Sequence, residues 1–167
     1  MGCGTGQIAN FLSERGYKPT GVDISPLFIK EARKLKKARF LVMDSERLRF
    51  PSGSFDSVIS SETLEHVLEP RKVLEEAIRV LKKQGILILR FPNRQSKVTN
   101  FLTLLTKKPK FEIVKPNLKK TVYGNDEDLC YRASTSDVVV FLKKNNFKVL
   151  YSKPFFWPSA LIVARKN

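Results

Sequence analysis

Gly2-Cys3-Gly4-Thr5-Gly6, followed nineteen residues after Gly4 by Asp23, sets three alternating glycines ahead of a helix-like run and an acid at the end of an apolar segment. Glycines let a backbone turn tightly and lie against a ligand without interference from a Cβ. The helix that follows presents free N–H groups at its start. An acid about 20 residues on is placed to take a ribose diol in two hydrogen bonds. The spacing points to a nucleotide-binding loop, and the rest of the chain is read outward from it.

Gln7 to Arg15 reads as a helix with Ile8, Phe11 and Leu12 on one face and Gly16 as its stop. Lys18 to Ile24 is a short strand carrying Asp23. Ser25-Pro26 opens the next helix, serine as N-cap and proline in the first turn; it runs to about Lys36 with Leu27, Ile29, Ala32 and Leu35 as its apolar residues. Arg39 to Met43 is a second strand, ending at Asp44, and Phe55 to Ser60 a third. Pro70 to Lys83 has the clearest helical spacing (Val73, Leu74, Ala77, Ile78, Leu81), with Gly85 ending it. Ile86 to Phe91 is a fourth, buried strand. Residues 94–133 are basic and weakly patterned, with Pro109, Pro116 and Gly124. Ser134 with Asp137 resembles a capping box for a helix carrying Val138, Val139, Phe141 and Leu142. Phe147 to Ser152 and Ala160 to Ala164 close the chain as an antiparallel pair.

Strands alternating with helices predict an α/β fold: a mostly parallel sheet, helices on both faces, and a C-terminal antiparallel hairpin. Ligands in such sheets bind beyond the carboxyl ends of the strands. The glycine loop, Asp23, Asp44 and the segment Ser61–His66 all fall at that edge.

These motifs together resemble the class I S-adenosylmethionine-dependent methyltransferases, along essentially the whole chain. The resemblance rests on GCGTG at 2–6, GVDIS at 21–25, MDSERLRFPSGSFDSVISSETLEHV at 43–67 and RVLKKQGILILRFPN at 79–93. The pattern looks most like the branch of ubiquinone-biosynthesis O-methyltransferases and related small-molecule enzymes. It implies a single Rossmann-like domain over 1–167, with 94–133 as a substrate-side insertion. It also implies transfer of a methyl group from S-adenosylmethionine, leaving S-adenosylhomocysteine, to a small-molecule acceptor, most readily at oxygen.

Roles carry over residue by residue. Gly2, Gly4 and Gly6 would line the methionine and ribose portion of the cofactor, with Cys3 and Thr5 offering backbone. Asp23 would bind the ribose hydroxyls and Ile24 would pack on the adenine. Asp44, flanked by Met43 and Ser45, would accept from the adenine amine. Ser61 and Glu62 would lie by the transferring methyl. His66, the chain's single histidine, would take the proton of a substrate hydroxyl; its structural alternative is to orient the loop. Glu65 reads as a solvated or helix-start acid. No metal is implied.

The resemblance also implies a strand before Gly2, with an acid two residues ahead of that glycine. The sequence opens at the loop, so the expectation is a sheet lacking that central strand between the strands ending in Asp23 and Ser60. Asn145-Asn146 before Phe147 and Gln84-Gly85 are smaller departures from the family's usual glycines.

Composition narrows the partners. The net charge is +15, from 31 lysines and arginines against 16 acids, with basic residues gathered in 30–49 and 90–120. Such a field attracts nucleic acid, anionic lipid or acidic substrates, or is simply a solvated lysine-rich surface. A nucleotide fingerprint for NAD would require a third glycine where Gln7 stands. RNA as acceptor lacks an Asn/Asp-Pro-Pro-aromatic tetrapeptide, since Ser61-Glu62-Thr63-Leu64 occupies its place. A degenerate methyltransferase fold serving as a basic binding module or partner subunit is the non-enzymatic alternative. Two cysteines, no long apolar run and no leader pattern lead to the expectation of a cytoplasmic protein.

Overall fold

The computed structural model describes residues 1–93, 97–107, 112–113, 131–132, 134–153 and 159–167. The strands are β1 (Thr20–Asp23), β2 (Arg39–Val42), β3 (Phe55–Ser61), β4 (Leu81–Pro92), β5 (Glu112–Ile113), β6 (Tyr131–Arg132), β7 (Phe147–Ser152) and β8 (Ser159–Lys166). The helices are α1 (Gln7–Ser13), α2 (Pro26–Arg33), α3 (Pro70–Val80), α4 (Lys97–Thr106) and α5 (Thr135–Lys144), with a 3-10 turn at Leu64–His66. Of the segment 94–133, α4 and the small β5–β6 ladder are described; most of the remainder, including Pro109, Pro116, Gly124 and Cys130, lies outside the described residues.

β1 and β2 pair in parallel, Thr20 opposite Arg39 and Asp23 opposite Val42. A second group runs β3-β4-β8-β7: β3 and β4 are parallel, while β4–β8 and β8–β7 are antiparallel. The expected α/β architecture and the closing antiparallel pair are thus present. Among the described residues β1–β2 and β3-β4-β8-β7 are separate ladders, with no strand paired to both.

Local chemistry explains the helix ends. Ser25 Oγ accepts from the N–H of Phe28 at 3.3 Å and Pro26 occupies the first turn, so α2 starts where the serine satisfies an otherwise orphan donor. Ser134 Oγ accepts from Asp137 N–H at 3.0 Å and does the same for α5. α3 buries Val73, Leu74, Ala77 and Val80, one stripe of the helix. It ends at Val80, three residues before the expected Lys83, because Leu81 turns extended and pairs with Phe55 at the start of β4. Gly85 therefore sits inside an irregular strand and does not cap the helix. Lys166 Nζ donates to the carbonyls of Ile78 (2.7 Å) and Leu81 (2.9 Å), supplying a cation to the helix's carboxyl end.

The main core is the stripe of α3, the inner residues Leu87, Leu89 and Phe91 of β4, Ala160, Ile162 and Ala164 of β8, and Val138, Phe141 and Leu142 of α5. A second cluster is small: Ala9, Ile29, Ala32 and Phe40 beneath the glycine loop. Here the apolar faces expected from periodicity are only half used. Ile8 (49% exposed) and Phe11 (52%) of α1 are not buried, nor are Leu27 and Leu35 around α2.

Candidate functional site

The three glycines of the opening loop are required for different reasons. All three have positive φ: +59° at Gly2, +50° at Gly4 and +84° at Gly6. A Cβ on Gly2 would fall 2.3 Å from Thr63 Oγ1, and one on Gly6 would fall 2.6 Å from the Phe40 ring. Those two positions are filled by the protein itself. A Cβ on Gly4 would meet nothing within 4 Å, so this glycine faces open space.

Asp23 is the residue on which the loop is shaped. The residue is 8% exposed, and its carboxylate accepts from Gly4 N–H (2.8 Å, Oδ2) and Ser25 N–H (2.9 Å, Oδ1). Charge-assisted bonds of this kind are stronger than neutral ones. The main chain of Asp23 also accepts from Met43 N–H at 2.9 Å, tying the end of β2 to the end of β1. Cys3 contributes through its backbone, its N–H donating to Val22 O at 2.9 Å. Burial pushes its thiol up to about 11, which leaves little thiolate at neutral pH.

The loop is joined to β3 on its other side. The Met1 nitrogen donates to Ile59 O at 2.8 Å, and Thr63 Oγ1 donates to Met1 O (3.2 Å) or Ser61 O (3.1 Å). Desolvation holds the Met1 ammonium below its ordinary range. Thr63, given no role of its own from the sequence, is therefore the residue that seats Gly2 and links the loop to the end of β3. Only the Cβ contact at Gly2 could have signalled it, and no spacing rule encodes that contact.

The remaining expected residues surround this frame. Ile24 is 71% exposed, while Met43 and Ser45 are buried. Asp44 is exposed and accepts from Glu46 N–H at 2.8 Å, a turn that shapes the segment after β2. That segment is clamped from behind by α3. Arg79 donates to the carbonyls of Leu48 (2.9 Å) and Phe50 (2.7 Å) and pairs with Glu76, whose Oε2 takes the Leu48 N–H at 2.7 Å. The hydrogen bond from Arg79 holds the Glu76 carboxyl below the usual range. Arg79 was part of a motif in the sequence, but its partners are 29 and 31 residues away and left no local signal.

Ser61 is half-buried; Glu62, with φ +50°, is exposed and pairs with Arg90 at 3.4 Å. His66 is exposed, its N–H donates to Thr63 O at 3.1 Å, and its Nε2 lies 4.0 Å from Glu65 Oε1. Glu65 is 3% exposed, which corrects its reading as a solvated acid: the 3-10 turn carries it inward beside Leu64. Hydrogen bonds thus bring the loop, Asp23, Met43 and the Ser61–Thr63 corner together at the carboxyl ends of β1, β2 and β3. His66 joins them through Thr63's main chain. Among the described residues no group of three His, Cys, Asp or Glu is placed to hold a metal ion.

The chain is similar to known proteins in sequence and in fold. The chain is 38% identical over 94 residues to 2-methyl-6-phytyl-1,4-hydroquinone methyltransferase of Synechocystis, an alignment covering 53% of this chain and 30% of that protein. It is 33% identical over 100 residues to the ubiquinone biosynthesis O-methyltransferase of Xanthomonas oryzae, covering 56% and 42% respectively. The chain thus spans well under half the length of these relatives. In three dimensions it superimposes on a SAM-dependent methyltransferase of Methanosarcina mazei with a TM-score of 0.72 at 24% identity, over 99% of this chain and 89% of that one. The methyltransferase domain model matches residues 1–89, from the glycine loop through β3 and into β4, and by that match the chain belongs to the methyltransferase domain family.

Proposed function

We propose that the chain binds S-adenosylmethionine over the glycine loop and methylates a hydroxyl of a small, largely apolar acceptor. The observation that carries this reading is the open face of Gly4 beside a carboxylate already locked in place. Gly2 and Gly6 are packed against Thr63 and Phe40, whereas Gly4 leaves room for a ligand. The residues present suit the cofactor. Asp23 keeps lone pairs beyond those given to Gly4 and Ser25 and would take the ribose hydroxyls. The exposed Ile24 would cover one face of the adenine, and Asp44, held by its turn between buried Met43 and Ser45, would accept from the adenine amine.

Bound there, the cofactor supplies a methyl group on a sulfonium that is already a good leaving group. The protein's part is then to hold the acceptor close and in line, which can supply several kcal/mol of the barrier. Ser61 and Glu62, at the end of β3, would form the mouth on the acceptor side. His66 would accept the hydroxyl proton as oxygen becomes a nucleophile, with the buried Glu65 carboxylate beside it to stabilise the imidazolium that results. Residues 94–133 would shape the acceptor pocket. The exposed Phe101, Leu104 and Leu105 of α4 favour an apolar substrate, and the names of the hydroquinone and ubiquinone-pathway relatives favour a phenolic one. Among the described residues no helix is long and apolar enough to cross a membrane, and we place the protein in the cytoplasm, where its thiol Cys3 would stay reduced.

The test is methyl transfer from labelled S-adenosylmethionine to a panel of hydroquinones and catechols. His66→Ala should lower kcat by about 100-fold, the usual scale for a general base, with cofactor affinity unchanged. Unaltered turnover would reduce His66 to a residue that shapes the loop.

A further inference from the structure

Among the described residues β2 pairs only with β1, so its other side is a sheet edge. Arg39 and Met43 send their N–H groups toward β1, to Pro19 O (3.3 Å) and Asp23 O (2.9 Å). Peptide groups alternate in direction along a strand, so Phe40 and Val42 turn theirs outward. Both outward carbonyls are covered by cations. Phe40 O accepts from Arg33 Nε (3.2 Å) and Nη2 (3.0 Å), and Val42 O accepts from Arg49 Nη2 at 3.4 Å. The acceptors of this edge are thus occupied. What it still offers is donors: two main-chain N–H groups and the remaining guanidinium hydrogens.

The surroundings carry more positive charge than the fold uses. Between Ile24 and Phe50 lysines and arginines far outnumber the acids, which are Glu31, Asp44 and Glu46. The chain itself engages all three acids. Glu31 pairs with Lys34 at 2.7 Å, Asp44 takes the Glu46 N–H at 2.8 Å, and Glu46 takes the Glu69 N–H at 2.9 Å. Lys30, Arg39 and Arg47 are exposed and have no acidic partner among the described residues. Because Arg33 reaches Phe40 O, the helical row that it shares with Lys30 and Lys34 runs beside the edge. Arg39 opens β2 on the opposite face from Phe40, and Arg47 and Arg49 follow its end.

We infer that the β2 edge docks the phosphate backbone of a base-paired nucleic acid. A phosphodiester carries acceptors and no donors, and guanidinium forks match its oxygens in pairs. An added peptide strand fits worse, since its N–H groups would meet carbonyls that Arg33 and Arg49 already hold. The stretch offers no ring for bases to stack on: Phe40 is buried, and Phe50 packs edge-on against Phe55 at 5.0 Å between ring centres. Contact to the backbone alone suits a duplex, whose bases are already stacked, and it carries no sequence information. The edge stands apart from the methyl-transfer site, because Arg39 opens β2 whereas Met43 and Asp44 follow its carboxyl end.

The test is fluorescence anisotropy of the 167-residue chain with labelled RNA and DNA duplexes of one sequence. The triple variant Lys30→Gln, Arg39→Gln, Arg47→Gln removes cations that hold no acid in place. A matched control, Lys143→Gln, Lys144→Gln, Lys148→Gln, removes the same charge from exposed positions at the end of α5 and on β7. The parent should bind a duplex at about 0.1 M salt, and the tighter of the two duplexes names the source of the backbone. The edge variant should bind at least about tenfold more weakly and lower the slope of log affinity against log salt by about two, while the control stays within about threefold of the parent. On the unaltered chain, the duplex should slow acetylation of Lys30 and Lys36 and leave Lys143 and Lys144 as reactive as before. Equal weakening by the two triple variants, no duplex binding by the parent, or unchanged lysine reactivity would overturn the inference. So would an edge variant that loses affinity for poly-glutamate or for phosphatidylglycerol vesicles yet keeps the duplex, since the edge would then belong to an acidic peptide or to an anionic membrane.

Discussion

The two halves of the sheet are held by different forces. Around β3, β4, β8 and β7, burial dominates: the cluster includes Leu74, Leu81, Leu87, Phe91, Leu142 and Ile162, each essentially inaccessible. Around β1 and β2 the separate buried cluster is Ala9, Ile29, Ala32 and Phe40, and Val22, Met43 and the partly buried Leu41 reach from these two strands and their ends into the larger one. The glycine loop is shaped chiefly by polar bonds, Gly4 and Ser25 to Asp23, Met1 to Ile59 and Thr63 to Met1. Regions with few buried apolar contacts open at lower free energy than the packed core. The motif-bearing half is therefore the part of the molecule that can be disabled without unfolding it, and the other half is the part that sets global stability.

Substitutions should separate the two. Phe91→Ala, fully buried near the carboxyl end of β4, should cost about 3–5 kcal/mol in denaturant unfolding; a loss below about 1 kcal/mol would mean that the larger cluster does not dominate. Gly2→Ala should cost about 1–3 kcal/mol, through a strained φ and the overlap with Thr63, with part of the loss recovered when Thr63→Ala is added. Gly4→Ala meets no neighbour and should cost only about 1 kcal/mol, yet weaken cofactor binding more than its stability loss accounts for. Equal stability losses at the two glycines would erase the distinction between the packed and the open position.

A further substitution concerns the clamp behind the segment after β2. Glu76 has its carboxyl held below the ordinary value by Arg79, so its stabilisation is complete above about pH 4.5 and is lost as pH falls through the depressed folded-state value. Glu76→Gln should cost about 1–2 kcal/mol at neutral pH, the scale of bonds to a partly covered charged group. It should also flatten the fall of thermal stability as pH drops below about 4.5. An unchanged acid limb would show that the clamp contributes nothing to joining the halves.

Sequence was most informative where a residue's own backbone or side-chain chemistry dictates its neighbourhood. Alternating glycines, serine-proline helix starts and an acid closing a strand encode local geometry, and the loop, α2 and β1 appear where those signals stand. It was least informative where two elements compete for the same residue or where partners are distant. Leu81 continues the helical spacing of α3 equally well as it opens β4, and pairing with Phe55 decides the matter. Ile8 and Phe11 read as a buried face because periodicity records which side of a helix is apolar, not whether anything covers it. Thr63 beneath Gly2 and Arg79 against Leu48 and Phe50 are contacts across the chain that no spacing announces. Glu65 sits next to the exposed His66 in sequence, and only the 3-10 turn separates their environments.

The central claim is that the open, polar-bonded half of the sheet forms a site for S-adenosylmethionine organised by Asp23. Calorimetric titration of the 167-residue chain and of its Asp23→Asn variant with S-adenosylhomocysteine tests it most directly. The account predicts one-to-one binding by the parent chain. It predicts affinity at least about tenfold weaker in the variant, the loss of one charge-assisted hydrogen bond, with a stability loss of about 1–3 kcal/mol from the backbone N–H that asparagine leaves unpaired and the chain still folded. Absence of binding by the parent chain, or equal affinity in the two, would contradict it.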